Sequence, residues 1–410
     1  MSESASNDGP DIKGLLILIL AIALGVAAHF TGYALVAMLC AASVISIALW
    51  QVCDPFAEAA QWIGKRYHIP GSVRGATLDA VASSMPELFA GIFFVIVALQ
   101  AVDPAAIEAG HHGAGAEGYG SAIATTAGSA IYNMILIPAC VALVVAAKRP
   151  KNPIIRVEKE VLHRDGVWFM VCELVLLAFL WQPYMHWWMG VVFLVLYLIY
   201  LVWLWRDAGR FRARKKEAGE SEDWSDLPEH AKIFFSLGKV PLNQLSVWLV
   251  IAVTTVLAAT ACYFLVEITV ETATILNIPT FFVAVILAAA VSSVPDTFLS
   301  IGAASRGDDS GAVSNAFGSN IFDICICMSI PLFVYSWIDG WKPVSMLGED
   351  GEPIPGILGL RILLWALTFI TLAILWHKRA LSRPKAIILI GLYLVFVAYA
   401  VLGSLGIVNV

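Results

Sequence analysis

Residues 277–298 read NIPTFFVAVILAAAVSSVPDTF, and residues 68–89 read HIPGSVRGATLDAVASSMPELF. The two stretches align without a gap at an offset of 209 positions, so that Ile-Pro, Ser-Ser, Pro-carboxylate and Phe coincide. A second pair follows in the same order at an offset of 190, AGSAIYNMI at 127–135 and FGSNIFDIC at 317–325. An extra stretch around EAGHHGAGAEG in the first copy accounts for the different offsets. The sequence therefore predicts an internal repeat that places polar residues inside apolar segments.

The composition places this repeat in a membrane. The chain has 410 residues, of which 60% are hydrophobic and 14% charged, and its mean hydropathy is +0.81. These values exclude an ordinary soluble domain. Apolar segments long enough to cross about 30 Å of hydrocarbon recur along the chain, without the alternation of a transmembrane β-barrel. We therefore predict an all-α membrane protein with eleven spans, near 14–30, 33–63, 72–101, 119–146, 165–181, 187–205, 246–276, 279–304, 310–337, 357–376 and 385–404.

The distribution of Lys and Arg predicts the direction of each span. With the N-terminus in the cytoplasm, only Lys342 and Arg361 fall on the outer side, as the positive-inside rule expects. The span that holds Glu87 then runs outward and the span that holds Asp296 runs inward. The two repeats are therefore expected to be inverted, as in many secondary transporters. A plasma membrane or a bacterial inner membrane is the expected location.

This topology divides the chain into five parts. The expected fold is a ten-helix core of two inverted repeats, five helices each, with one extra N-terminal helix. The parts are a cytoplasmic tail (1–12), the extra transmembrane helix (13–31), the first repeat (32–205), a cytoplasmic linker (206–245) and the second repeat (246–410). The basic run at 206–216 either touches anionic lipid or marks the cytoplasmic side.

Proline explains why the repeated motif contains polar groups. Pro86 and Pro295 have no amide hydrogen, so the carbonyls four residues earlier, at Ala82 and Val291, lose their helical partner. We expect a break in each helix at this point, which exposes backbone oxygens. Hydroxyl groups lie within one turn of the two motif carboxylates, Glu87 and Asp296; they belong to Ser83, Ser84, Ser292 and Ser293.

The second motif adds further oxygen atoms. Ser129 and Asn133 are four residues apart, as are Ser319 and Asp323, so each pair lies on one helix face. Carboxylate, hydroxyl and carbonyl oxygens without sulfur or imidazole are the ligands of hard cations such as Ca²⁺. The alternative for Ser129 and Ser319 is helix packing alone, because Gly-Ser contacts often serve that purpose.

The charge of this predicted site requires cations. Glu87, Asp296 and Asp323 carry three negative charges when ionised, with no buried Lys or Arg nearby in the sequence. One Ca²⁺ leaves a residual negative charge for a proton or a monovalent ion, whereas several Na⁺ ions balance the site alone. Competition between the two loadings is the physical basis of exchange.

At these residues the sequence resembles the calcium/cation antiporter superfamily, and in particular the sodium/calcium exchangers. The paired repeats of that family are similar to SSMPELF with GSAIYN and to SSVPDTF with GSNIFD. PDTF is similar to the potassium-independent branch, whereas GSA and GSNIFD followed by SIPLFVYSW look more like the potassium-dependent branch, so the subtype stays open. The chain departs from the family pattern at Ala82 and Val291, where glycine is usual, and at Ala130, where asparagine is usual.

The resemblance implies roles for individual residues. Glu87 and Asp296 bridge the central ions, and the other metal-site residues are Asp323, Asn133, Ser83, Ser84, Ser292, Ser293, Ser129, Ser319, Ala82 and Val291. The expected function is antiport of Ca²⁺ against Na⁺ by alternating access, with K⁺ co-transport left open. Proton-coupled antiport of Ca²⁺ or another divalent cation is the alternative, and an intramembrane acid-dependent enzyme or a cation channel is the alternative from another class.

We do not expect an enzyme, a cofactor, a nucleic acid or a protein partner; inorganic cations and the lipid bilayer are the expected partners. The seven cysteines show no zinc-type spacing, so neither disulfides nor a metal cluster is expected. Other polar residues have two interpretations each. Asp79 lines a vestibule or pairs with Arg74, and Glu173 is a structural partner or a proton-linked accessory group. Three acids flank ion paths or mark interfacial helix ends (Glu58, Glu267 and Glu271), and two histidines bind metal weakly or lie in a solvated loop (His111 and His112).

Overall fold

The computed structural model describes residues 11–69, 71–101, 113–150, 153–157, 159, 162–217, 228–305, 307, 309–347 and 353–407. Helices dominate these residues, and each predicted span contains one helix. Ten of the described helices are long and apolar enough to cross a membrane. The helix in predicted span 165–181 is shorter, since only 14 of its residues, Val167–Leu180, are α-helical. The all-α membrane fold is therefore confirmed.

The first half contains α1 (Ile12–Phe30), α2 (Ala34–Arg66), α3 (Gly71–Arg74, a π-helical turn Gly75–Asp79, and Ala80–Gln100), α4 (Gly113–Lys148), α5 (a π-helical turn Leu162–Gly166, and Val167–Leu180) and α6 (Trp187–Glu217). The second half contains α7 (Ser246–Leu276), α8 (Thr280–Val283, a π-helical turn Ala284–Ala288, Ala289–Ser292, and Val294–Ser305), α9 (Asp309–Phe322, a π-helical turn Asp323–Cys327, and Ser329–Ile338), α10 (Ile357–Trp376) and α11 (Arg383–Ser404). The strands are β1 (Ile155–Arg156), β2 (Tyr184–Met185), β3 (His230–Ile233), β4 (Gly238–Pro241), β5 (Val344–Ser345) and β6 (Ala380–Leu381).

Two short strand pairs show that the repeats are inverted. β1 pairs with β6, and β2 pairs with β5, both antiparallel. Because α5 begins after β1 and ends just before β2, the two pairs lie at opposite ends of the helical bundle. α4 runs toward the β1–β6 pair and α9 runs toward the β2–β5 pair, so these equivalent helices have opposite directions. An ion pair of 2.9 Å between Arg149, which follows α4, and Asp309, which begins α9, agrees with this arrangement.

The glycines of the second motif fit against π-helical turns of the opposite repeat. A Cβ atom on Gly318 of α9 would lie 2.7 Å from Ala76 Cα in the turn of α3. A Cβ atom on Gly128 of α4 would lie 3.0 Å from the carbonyl carbon of Val285 in the turn of α8. The two turns themselves are equivalent, since they begin 209 residues apart. Each repeat therefore brings its second motif into close contact with the first-motif helix of the other.

The helix break predicted at both prolines occurs at only one of them. Pro295 follows a turn at Ser293, where α8 is interrupted. Pro86, by contrast, lies inside the continuous segment Ala80–Gln100. A membrane helix can continue through a proline where surrounding groups satisfy the freed backbone atoms. The Cys262 thiol of α7 donates to the carbonyl of Pro86 itself at 3.4 Å, which packs α7 against this segment. The expectation of a break at Pro86 was wrong.

The predicted linker is partly structured. α6 continues to Glu217 through the basic run, because Arg, Lys and Glu favour helix. The strands β3 and β4 then form a hairpin that packs on α2, where the Glu58 carboxylate accepts a hydrogen bond of 2.6 Å from the Lys232 amide. The backbone carbonyl of Phe235 in the hairpin accepts from the amide of Asp11, just before α1. The linker therefore connects the extra helix to the core.

Candidate cation-binding site

Four helices that carry the repeated motifs are the most buried spans of the structure: α3, α4, α8 and α9. They bring together ten polar side chains that are fully buried, which we call the cage: Ser83, Ser84, Glu87, Ser129, Asn133, Ser292, Ser293, Asp296, Ser319 and Asp323. The two repeats thus place all of the predicted polar side chains in one central cluster. Their role as ion ligands stays a prediction.

Ser129 is the most connected residue of the cage. Its hydroxyl lies 3.0 Å from Glu87 Oε1, 2.8 Å from Ser293 Oγ and 3.2 Å from Asp323 Oδ2. These partners come from the other three motif helices. A hydroxyl has only one hydrogen to donate, so it cannot satisfy both carboxylates at once. One of the two carboxylates therefore depends on another donor, and the Ser293 hydroxyl lies 3.3 Å from Glu87 Oε1.

Asp296 has a different environment. Its Oδ1 accepts a hydrogen bond of 2.7 Å from Ser319, whose hydroxyl also lies 3.1 Å from that of Ser83. The Asn133 amide donates to Oδ2 and the Asn315 amide donates to Oδ1, both at 3.4 Å. Asp296 is thus held by hydroxyl and amide donors from both repeats.

Several acceptor atoms of this region have no hydrogen-bond partner among the described residues. They include Glu87 Oε2, Asn133 Oδ1 and Asn315 Oδ1, all of which are buried. The two buried arginines of the described chain lie elsewhere, since Arg164 pairs with Asp165 and Arg361 lies over the Trp181 ring. Buried carboxylates without a cationic partner are costly in a membrane. The chemistry of these oxygens therefore fits bound hard cations.

Asp323 begins a π-helical turn within α9. The equivalent helix of the first repeat, α4, is α-helical throughout. A π-helical turn inserts one extra residue into the helix, and such turns are frequent at functional sites. Cys327, at the end of this turn, donates to the carbonyl of Ser84 at 3.6 Å and contacts Asp323 Oδ1 at 3.7 Å. The turn thus fixes Asp323 against α3.

The carboxylates do not converge on a single point. Among the described residues, no three His, Cys, Asp or Glu side chains form a common metal-binding group. Serine hydroxyls lie between the acids instead, as Ser129 does between Glu87 and Asp323. Such a spread of oxygens suits several adjacent ions better than one ion held by carboxylates alone.

The remaining predicted ligands differ in their contacts. Ser292 lies beside Glu87, and its hydroxyl donates to the carbonyl of Ala289 in its own helix at 3.2 Å. Ala82 and Val291 are buried next to the cage serines in sequence, and the ligand role of their carbonyl oxygens stays a prediction.

Sequence reasoning missed Asn315 and Ser300. The Asn315 amide bridges Asp296 and Ser300, with a distance of 3.2 Å to Ser300 Oγ. Ser300 lies one turn after Asp296, and Asn315 lies one turn before Ser319, so both share a helix face with a cage residue. That spacing of four residues is a signal that could have identified them.

Three of the other acidic residues have structural partners: Asp79, Glu267 and Glu58. Asp79 pairs with Arg74 at 3.0 Å, which confirms one of its two interpretations. Glu267 accepts a hydrogen bond of 2.9 Å from Tyr263 on the surface of α7, and Glu271 is exposed on the same helix. The Glu58 carboxylate accepts the hydrogen bond from the Lys232 amide of the β3–β4 hairpin. His111 and His112 lie outside the described residues.

An inverted repeat of membrane-spanning helices around buried carboxylates and hydroxyls defines a secondary transporter of cations. Residues 13–206 and 246–402 match the family described as sodium/calcium exchanger protein, and the chain belongs to this family. Its members belong to the calcium/cation antiporter superfamily and are ion exchangers, not enzymes.

The chain is similar to a curated relative in sequence and to solved exchanger structures in fold. The chain is 24% identical to human sodium/potassium/calcium exchanger 5, over 87% of this chain and 81% of that protein. The fold is similar to the crystal structure of the H⁺/Ca²⁺ exchanger CAX, with a TM-score of 0.63 at 16% identity over 97% of this chain and 94% of that one. It is also similar to the sodium-calcium exchanger NCX_Mj, with a TM-score of 0.52 at 18% identity over 89% and 99% of the two chains.

Proposed function

We propose that this antiporter exchanges Ca²⁺ for Na⁺ at the cage by alternating access. The observation that carries the proposal is the position of Ser129, whose hydroxyl joins two carboxylates and a serine from the three other motif helices. Oxygen atoms of this kind and number suit Ca²⁺ and Na⁺. The names of the family and of the human relative, which include sodium and calcium, support the same ions.

The charges of the cage explain why the two ions compete. Glu87, Asp296 and Asp323 supply three negative charges when ionised. One Ca²⁺ neutralises two of them, and several Na⁺ ions neutralise all three. Both loadings use the same oxygens, so that occupation by one ion displaces the other. The inverted repeats then expose the loaded cage to either side by rocking around a fixed centre.

Co-transport of K⁺ belongs to the same proposal. A Ca²⁺ ion between Glu87 and Asp296 leaves the charge of Asp323 for a monovalent cation. The name of the human relative, a sodium/potassium/calcium exchanger, supports K⁺ as the co-transported ion. Proton-coupled exchange is the second candidate, because a proton on Asp323 would balance the same charge.

The proposed orientation places the N-terminus and the linker in the cytoplasm. The β1–β6 end of the bundle carries many of the described basic residues, among them Lys148, Arg149, Arg164, Arg379 and Arg383. Excess Lys and Arg mark the cytoplasmic side of a membrane protein. An inward Na⁺ gradient would then drive Ca²⁺ out of the cytoplasm.

Transport by the purified protein in sodium-loaded vesicles tests the proposal. We expect Ca²⁺ uptake on dilution into sodium-free buffer, and its loss in Asp296→Asn, because the variant removes one cage charge. Asp309→Asn is the matched control, since Asp309 pairs with Arg149 at the end of α4, outside the cage. Repetition with and without K⁺ tests co-transport. Ca²⁺ uptake that is driven by a pH gradient and is independent of Na⁺ would replace sodium coupling by proton coupling. An equal loss of Ca²⁺ uptake in Asp296→Asn and Asp309→Asn would contradict the assignment of the ion site to the cage.

A further inference from the structure

Glu173 is a fully buried carboxyl group outside the cage. It lies in the middle of α5, about 12 Å along the helix from Asp165 on one side and from Trp181 on the other. Its Oε1 accepts a hydrogen bond of 2.7 Å from the Thr368 hydroxyl of α10. Its Oε2 is buried and has no hydrogen-bond partner among the described residues. The antiport mechanism uses none of these atoms.

Buried basic groups do not compensate this carboxyl. In the described part of the chain, the two buried arginines are Arg164 and Arg361. Arg164 forms a bidentate pair with Asp165 at the start of α5, and Arg361 lies over the Trp181 ring at its end. Both arginines are therefore about two helical turns or more from Glu173, and each contacts a different residue.

The titratable groups of the helices packed against α5 also have other contacts. On α9, the Cys325 thiol contacts Cys172 at 3.6 Å, and Asp323 belongs to the cage. On α6, Tyr200 donates to Asp165 at 3.1 Å. Further groups on these helices have partners of their own: Asp207 with Arg164, Cys327 with Asp323, Tyr335 with Asp339, and the Tyr197 ring with Phe322. On α10 the charged group is Arg361.

We propose that Glu173 and Thr368 form a proton-binding site between α5 and α10, separate from the cage. An ionised carboxylate here would lie in a medium of low dielectric with a single hydrogen-bond donor, which is far more costly than the neutral acid. The protonated acid keeps the hydrogen bond from Thr368, because its carbonyl oxygen still accepts. A proton thus supplies the positive charge that the protein does not.

A proton fits this site better than an alkali cation. Hard cations in proteins take about six oxygen ligands. The described side chains here provide the two oxygens of Glu173 and the hydroxyl of Thr368. Thr371, whose buried hydroxyl has no partner, lies one turn further along α10. These oxygens are too few to surround an alkali ion, whereas a proton needs only one of them.

Infrared spectroscopy of the full-length protein tests the proposal directly. We expect the carbonyl stretch of a protonated carboxylic acid in the wild type, shifted in D₂O, and its loss in Glu173→Gln. Acids of the cage contribute equally to both proteins and cancel in the difference spectrum. Glu117→Gln is the matched control: Glu117 accepts a similar hydrogen bond of 2.9 Å from Thr280 but is exposed, so the variant should leave the band unchanged.

A second variant keeps the test decisive if Glu173→Gln does not fold. Thr368→Val retains the acid and removes its donor, so the band should persist at a shifted frequency. Identical spectra for wild type and Glu173→Gln, or an unshifted band in Thr368→Val, would overturn the proposal. The proposal would also be overturned if the carbonyl band in the difference spectrum were present in choline buffer and absent in Na⁺ buffer. Such a result would mean that an alkali ion displaces the proton at this site.

The proposal also predicts an alkaline limit to stability. Removal of the proton at high pH would place an uncompensated charge between α5 and α10. The wild type should therefore unfold at a lower temperature as the pH is raised, while Glu173→Gln should lose this part of the pH dependence. Parallel curves for the two proteins would contradict the site.

Discussion

The hydroxyl oxygens of Ser129 and Ser293 lie 2.8 Å apart, although 164 residues separate them in the chain. Both hydroxyls also reach Glu87 Oε1, at 3.0 and 3.3 Å. Ser129 belongs to the first repeat and Ser293 to the second, so that one carboxylate oxygen is held by both halves. A cation bound at Glu87 therefore contacts groups whose relative position depends on how the two repeats pack.

Substitution Ser129→Ala should weaken Ca²⁺ binding while the protein still folds. The variant removes one hydroxyl that contacts three cage residues, and the loss of one such interaction costs about 1 kcal/mol. We expect the half-saturating Ca²⁺ concentration for exchange to rise about five- to tenfold. Ser43→Ala is the control, because the exposed Ser43 hydroxyl donates to the carbonyl of Leu39 in its own helix, at 2.8 Å, far from the cage in sequence. The same rise in both variants would show that Ser129 acts outside the ion site.

Substitution Asn315→Leu should lower the apparent Ca²⁺ affinity about fivefold, because Asp296 loses the amide that holds it against Ser300. Transport at varied Ca²⁺ concentration measures this affinity. Ser300→Thr keeps the hydroxyl, so it should lower the apparent Ca²⁺ affinity less than Ser300→Ala does. Thr125→Val is the matched control at the equivalent position of the first repeat, where the hydroxyl donates to the carbonyl of Ser121 in its own helix, at 3.0 Å. An equal effect of Thr125→Val would contradict a specific role for Asn315.

Substitution Gly318→Ala should destabilise the protein by forcing α9 away from α3. The added Cβ would lie 2.7 Å from Ala76 Cα, and overpacking of this kind costs about 1–3 kcal/mol. A lower temperature of thermal unfolding checks this expectation. Gly209→Ala is the control, since among the described residues no atom beyond its chain neighbours and its own helix backbone lies within 4 Å of the Cβ position. It should leave stability unchanged or raise it slightly. Unfolding of Gly318→Ala at the wild-type temperature would mean that the two helices can separate at little cost.

The sequence predicted much of the cage because its signals are local. A carboxylate next to a proline in an apolar segment marks a functional position in any membrane helix, and the repeat doubles that signal at Glu87 and Asp296. A spacing of four residues places Ser129 with Asn133 and Ser319 with Asp323 on common faces. Asn315 and Ser300 have the same four-residue spacing from Ser319 and Asp296, but neither belongs to the repeated motif, and their contact with each other joins two different helices. The helix break predicted at Pro86 does not occur, because a proline does not always interrupt a membrane helix.

By itself, the sequence determined the membrane-spanning helices, the repeat and the identity of the cage side chains. These follow from hydropathy, charge distribution and motif spacing, which act within one helix or at its ends. Only the tertiary structure decided which oxygens meet, for example that Ser129 contacts Ser293 and that Asn315 holds Asp296. Such contacts depend on how closely the helices approach, and this distance is fixed by Gly128 and Gly318 against the π-helical turns of the opposite repeat.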